Sequence, residues 1–160
     1  YYNAQKGTSV KVLGWDIAKQ DGTFSGDFND QTKGTSIAKS MSDEGADIIF
    51  PVAGPVGLGA SQFAMDSAGK VKIIGVDVDM AVSNPTQAEV YVASVLKKID
   101  SAVLQAVKDA LAKTGGGTDY LGTLANGGVG VSITSTITPE LQAELDAVTA
   151  GIIDGSIVTK

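Results

Sequence analysis

Residues 46–60 read ADIIFPVAGPVGLGA, an unbroken apolar run that meets a Phe-Pro step and then a segment with three glycines before a helical pattern begins. An apolar run of this length with no polar alternation suits a central parallel strand covered on both faces, and a glycine segment between strand and helix lets something approach the backbone closely. Two readings of the glycines stay open: a tight turn that needs small residues for packing, or the seat of an uncharged ligand. The order G-P-V-G-L-G matches neither G-x-x-x-x-G-K-[ST] nor G-x-G-x-x-G, and no lysine follows to meet a phosphate.

Outward from this stretch the same alternation repeats. SVKVLGW (9–15) is β-branched and alternating, which predicts a first strand. Asn29 or Asp30 then caps a helix through about Glu44, with Ile37, Ala38 and Met41 as its apolar stripe and Gly45 as its stop. A helix from Pro55 or Val56 to Ser67 precedes the strand KIIGV (72–76), the polar loop DVDMAVSNPTQA and a strand EVYVAS (89–94). Ile99, Val103, Ala106, Val107, Ala110 and Leu111 mark a further helix ending before Gly115, followed by a GGGT turn. YLGTLA and GVGVSI read as two strands around the Asn126-Gly127 turn, Thr138-Pro139 opens a last helix carrying Leu141, Leu145, Val148 and Ile152, Gly155 closes it, and SIVT reads as a terminal strand. Strand and helix in alternation predict an α/β fold with a parallel sheet and helices on both faces. Ligands of such sheets bind beyond the carboxyl ends of the strands, which selects the loops at 16–28, 50–59, 77–87 and 94–98.

Composition removes several function classes. The chain has 160 residues, 43% of them hydrophobic, so one core-forming unit is the expectation. Cysteine and histidine are both absent, which excludes disulfides, thiolate and imidazole metal ligands, Cys nucleophiles and a His base within these residues. The 12 basic residues are scattered against 18 acidic ones, net −6, so no phosphate-tracking surface and no nucleic-acid partner is expected. The opening YYNAQKGTS has no Met and runs almost directly into a strand pattern, which suggests a fragment or processed product.

Among the loops, Asp77 follows the apolar strand at its carboxyl end. A carboxylate offers only acceptor positions and so suits a diol with two hydroxyl donors; a capping or turn aspartate is the alternative. Asp79 makes a D-x-D pattern, but the glycine and the closing Glu of a calcium loop are missing. Ser94-x-x-Lys97 and Lys113-Thr114-Gly115 match fragments of the penicillin-recognising signature without its context. A phosphorelay receiver would need an acidic pair after the first strand, where Trp15-Asp16 supplies one carboxylate. Phe50 presents an aromatic face at its strand's exit, and Lys97 lies where an amine can donate to a ligand hydroxyl.

Taken in order, ADIIFPVAGPVGLGA, IIGVDVD, YVASVLKKIDSAV, LANGGVGV and TPELQAELDAVTAGIIDGSIV resemble the basic membrane lipoprotein family, substrate-binding proteins of ABC transporters similar to the purine nucleoside receptors. GDFNDQTKG (26–34) resembles the family segment G-x-F-x-D-x-x-K-G. The resemblance implies a three-layer, flavodoxin-like lobe of the type I periplasmic-binding-protein class: residues 1–125 as the second lobe of a two-lobed clamp, 126–160 as the carboxyl-terminal return segment, and a first lobe, signal peptide and lipid-bearing cysteine upstream. It also implies that Phe50 stacks on a purine, that Gly54 and Gly57 lie where the chain approaches the ribose, that Asp77 and Lys97 grip ribose hydroxyls, and that Phe28 is a further cleft aromatic. No enzyme activity, cofactor or metal is implied; the partners are an ABC permease with its ATPase, outside the cell membrane at a periplasmic or surface location. A sugar or autoinducer receptor of the same architecture and a Rossmann-type nucleotide-dependent enzyme are the competing readings.

Overall fold

The computed structural model describes residues 1–115, 117 and 119–159. It divides into two compact units, Tyr1–Lys72 and Ile73–Lys160.

The first unit is organised by two helices. α1 (Tyr2–Lys6) is a short turn of helix closed by Gly7 at φ +64°. β1 (Trp15–Asp16) and β2 (Asp21–Gly22) form a minimal antiparallel pair. The loop after them is built by Asp27, whose carboxylate accepts the N–H of Asn29 and of Asp30, both at 2.6 Å. These bonds, Asp30 first, with Lys33 adding a smaller attraction, hold the Asp27 carboxyl below its ordinary pKa. Asp30 then caps α2 (Gln31–Asp43) by accepting from Thr32 and Lys33, which satisfies two of the helix's orphan donors. After β3 (Ile48–Ile49) the chain enters α3 (Val56–Asp66).

α2 and α3 cross where neither has a side chain. A Cβ on Gly34 would overlap the Val56 carbonyl oxygen, and one on Gly59 would overlap the Gln31 carbonyl oxygen. Thr35 Oγ1 donates to the Gly59 carbonyl at 3.0 Å across the crossing, and Ala38, Val56, Ala60, Ser61 and Ala64 are buried around it. The third glycine of G-P-V-G-L-G is therefore a packing glycine.

The second unit holds β4 (Lys72–Asp77), whose first residue closes the other unit, then α4 (Met80–Ser83), a 3-10 turn (Pro85–Val90), β5 (Tyr91–Lys97), α5 (Ile99–Ala112), β6 (Val129–Ile133) and α6 (Pro139–Asp154). β4 and β5 run parallel and β5 and β6 antiparallel, so the sheet is mixed rather than wholly parallel. Ile73, Val90 and Tyr91 form its buried apolar set. Thr138 caps α6 through Leu141 N–H, with Pro139 in the first turn as expected.

Several expected elements differ, each for a visible reason. SVKVLGW forms only the Trp15 end of β1; Val10 and Val12 are 63% and 77% exposed, and β propensity needs a neighbouring strand to be realised. The run at 46–50 yields a two-residue strand in which Ile48 is 50% exposed, not a strand covered on both faces. The polar loop after β4 contains α4 because Asp79 caps it, accepting from Ala81 and Val82. The 3-10 turn that begins at Pro85 delays β5 to Tyr91, so Ser94 lies inside the strand instead of opening a ligand loop. YLGTLA is not a strand. Asn126 wraps it into a loop, with Oδ1 accepting from Thr123 and Gly128 and Nδ2 donating to Leu121, and β6 pairs with β5 instead. SIVT is also not a strand: past Gly155 at φ +81°, a left-handed helix stop, the chain folds back and Ile157 N–H bonds the Gly151 carbonyl at 2.8 Å. α5 ends at Ala112, before Gly115 as expected, but Lys113 at φ +56° takes the left-handed cap position, and the helix's apolar residues Val103, Val107 and Leu111 stay exposed. In the GGGT turn, Gly116 and Thr118 lie outside the described residues.

Two measurements check this account. Gly59→Ala and Gly34→Ala should each lose about 1–3 kcal/mol of stability or more, because the methyl meets backbone that cannot yield, whereas Gly57→Ala, whose Cβ would sit 3.5 Å from the Pro51 ring, should be within about 1 kcal/mol of wild type; chemical denaturation distinguishes them. Asp27 contributes its bonds above the ordinary aspartate range and loses them as pH falls through its depressed folded pKa, so the Asn29 and Asp30 amide shifts should titrate with a midpoint below 3.8. A midpoint at or above that value would contradict the depressed carboxyl.

Candidate functional site

In the first unit an open cavity of about 450 Å³ lies among the loop at 23–28, Ile37 and Ala38 of α2, and the segment from Ile49 to Ala60. Val56 N–H donates to the Phe28 carbonyl at 3.0 Å, and the same carbonyl lies 3.4 Å from where a Cβ on Gly54 would be, an ordinary contact distance. These contacts fix the loop against the start of α3. Phe28 lines the cavity at its rim, 71% exposed, beside Phe24, whose ring meets Trp15 edge-on at 6.3 Å. Phe50 does not line it, although its neighbours Ile49 and Pro51 do. Its ring is 47% exposed. The two aromatic candidates are therefore not brought together on this cavity.

The helix start behind the glycines has little left to offer an anion. Val56 N–H is taken by Phe28, Gly57 N–H by Gly54 and Leu58 N–H by Pro55. A phosphate cradle needs those donors free. Gly57 sits in the first turn of α3, so the irregular segment is shorter than the predicted 50–59 loop and ends at Pro55.

In the second unit the structure joins Asp77 and Lys97. Their ion pair is 3.1 Å long between Lys97 Nζ and Asp77 Oδ1, with the two side chains 65% and 47% exposed respectively. Asp77 pairs in register with Leu96, which places Lys97 one residue beyond it at the end of β5. A pair this exposed contributes little to stability. Chemically it sets an acceptor with further lone pairs next to a donor with further N–H groups, the complement of neighbouring hydroxyls. Asp77 holds a left-handed backbone at φ +72°, uncommon for a residue other than glycine.

Sequence reasoning does not single out Asp79, Ser94 and Ser132 as a group. Asp79 caps α4 and accepts from the Ser132 hydroxyl, and the buried Ser94 hydroxyl accepts Met80 N–H at 3.1 Å. The capping signal at Asp79, an aspartate before a short helical run, is readable; that Ser94 faces inward is not. Among the described residues no cluster of acidic, Cys or His side chains is arranged to hold a metal ion, and no helix is long and apolar enough to cross a membrane.

The family model described as ABC transporter substrate-binding protein PnrA-like matches residues 21–160. The chain is 31% identical over 152 residues to the ABC transporter nucleoside-binding protein BmpA of Lactococcus lactis subsp. cremoris, covering 87% of this chain and 43% of that protein. It is 34% identical over 123 residues to Basic membrane protein D of Borreliella burgdorferi, covering 75% and 33%. Among solved structures, an ABC transporter solute-binding protein from Aeropyrum pernix K1 superposes with a TM-score of 0.74 at 26% identity, over 99% of this chain and 50% of that one. A solute-binding protein from Conexibacter woesei superposes with a TM-score of 0.66 at 25% identity, over 86% and 45%. The chain thus spans about half or less of the length of these relatives. The α/β lobe expected from the alternating pattern is the fold these proteins share, and with the family model matching from Asp21 to the last residue, the chain belongs to the PnrA-like family of ABC transporter substrate-binding proteins.

Proposed function

We propose that this chain is the second lobe, residues 1–125, with the carboxyl-terminal return segment, residues 126–160, of a solute-binding protein that captures a purine nucleoside outside the cell membrane. It hands the nucleoside to an ABC permease driven by its ATPase. In this reading the first lobe of the same polypeptide closes over the ligand, and an upstream lipid anchor holds the protein at the membrane. The protein performs no chemistry on its cargo.

The observation that carries the reading is the Asp77–Lys97 pair at the strand ends. It presents an acceptor and a donor 3.1 Å apart, half-exposed, where ligands of open α/β sheets bind. Asp77 takes the ribose hydroxyls and Lys97 completes the grip. Phe50 stacks on the base, Gly54 and Gly57 border the sugar, and Phe28 is an accessory aromatic. The Lactococcus relative's name as a nucleoside-binding protein supports the choice of ligand class. The committed N–H groups at the start of α3 argue against a nucleotide-dependent enzyme, which needs a place for phosphate.

A stacked base contributes on the order of 1–3 kcal/mol and a charge-assisted hydrogen bond about 1.5–3 kcal/mol, so neither alone gives tight capture. Calorimetric titration of the two-lobed protein with guanosine, inosine, adenosine, uridine and ribose should show purine nucleosides bound best. Asp77→Ala should weaken them by about 10- to 150-fold. Ribose binding as tightly as the nucleosides would move the assignment to a sugar receptor, and no nucleoside binding after refolding from denaturant would remove the nucleoside assignment. The 160-residue chain alone should bind weakly, since closure of two lobes supplies much of the burial; submicromolar affinity would contradict that.

A further inference from the structure

The turn after β4 is held by contacts that ligand binding does not itself use. Asp77 has φ +72°, and Val78 N–H donates across it to the Val76 carbonyl at 2.9 Å, which makes a γ-turn of the strained, positive-φ kind. Such a backbone persists only where its surroundings over-determine it. Here the surroundings are a row of small residues across three strands. Gly75 pairs with Ser94 in the β4–β5 register, and Ser94 pairs with Ser132 in the β5–β6 register. Directly opposed residues project to the same face of the sheet.

Each member of the row has a distinct contact with the turn. Gly75 leaves open the space that a Cβ would take 2.5 Å from Ser94 Oγ and 2.6 Å from Met80 Cγ. Ser94, fully buried, accepts Met80 N–H at 3.1 Å. Ser132 donates to Asp79 Oδ2, while Asp79 Oδ1 caps Ala81 and Val82. The segment Asp77–Met80 is thus seated on the sheet from its far end, and its near end carries the carboxylate that meets Lys97.

Resting on the reading of Asp77 as the acceptor of a sugar's hydroxyls, we propose that Ser94 and Ser132 are positioning residues that aim the Asp77 carboxylate at a vicinal diol. They act through the turn and touch no ligand. The consequence is a specificity effect: loosening the seat weakens ligands that own the diol and spares those that lack it.

The test compares guanosine with 2′,3′-dideoxyguanosine on the two-lobed protein carrying Ser132→Ala, Ser94→Ala or Ser132→Thr. The alanine variants should lose about five- to tenfold for guanosine and little for the dideoxy analogue, so the ratio between them falls; Ser132→Thr, which keeps the hydroxyl, should restore it. Equal losses for both ligands, or no loss for either, would overturn the proposal, because a general weakening of the fold does not discriminate between them. A second readout needs no ligand: the strong intraresidue HN–Hα NOE of a left-handed residue should be present at Asp77 in the wild type and reduced in the alanine variants, and an unchanged NOE would overturn the seating role. If the wild-type protein binds neither nucleoside, the nucleoside reading falls, and the NOE alone decides whether the serines hold the turn.

Discussion

The first unit depends on a close approach of two backbones. α2 and α3 meet at Gly34 and Gly59, where each helix presents a bare carbonyl to the position a Cβ would fill on the other. That crossing brings the start of α3 under the loop at 23–28, where Val56 N–H bonds the Phe28 carbonyl, and the cavity beside it follows from the same geometry. Helices this close cannot slide past each other without meeting a side chain. The loop's own bonds through Asp27 and Asp30 then have a fixed base to build on.

A glycine pattern that looks like a ligand loop thus separates into different jobs. Gly59 is required by packing, whereas Gly54 and Gly57 are not, since a methyl at either meets its nearest neighbour, the Phe28 carbonyl at 3.4 Å or the Pro51 ring at 3.5 Å, at an ordinary contact distance. The donors of the first helical turn are spent inside the protein. The proposed uncharged, hydroxyl-bearing solute makes no demand on those donors. In the second unit the positive-φ backbone of Asp77 stands beside its ion pair with Lys97, and a buried serine and a capping aspartate bond the segment beyond it.

Much of this was legible in the residues, and the limits were physical. α2 and α6 read cleanly because their caps and stops are local: Asp30 bonds residues two and three further on, and Thr138-Pro139 and Gly155 bracket α6. The strands read less well, because a β pattern is realised only if a neighbour arrives. Most of SVKVLGW and all of YLGTLA have suitable residues but no ladder, while β6 finds β5 across a long connection. Side-chain hydrogen bonds that redirect the backbone, such as those of Asn126 and Asp79, leave only a single polar letter in the sequence. Of the candidate site, Asp77 and Lys97 were legible as residues near two strand ends, while their ion pair at 3.1 Å depends on the β4–β5 register. The row Gly75–Ser94–Ser132 likewise depends on register, which no local pattern shows.

The central claim is that Asp77 holds the sugar of a nucleoside, and a crystal structure of the two-lobed protein with a purine nucleoside bound tests it most directly. The account predicts the ribose 2′ and 3′ hydroxyls within hydrogen-bonding distance of the Asp77 carboxylate, with Lys97 still beside it. A nucleoside bound with its ribose elsewhere and Asp77 facing solvent or the base would contradict it.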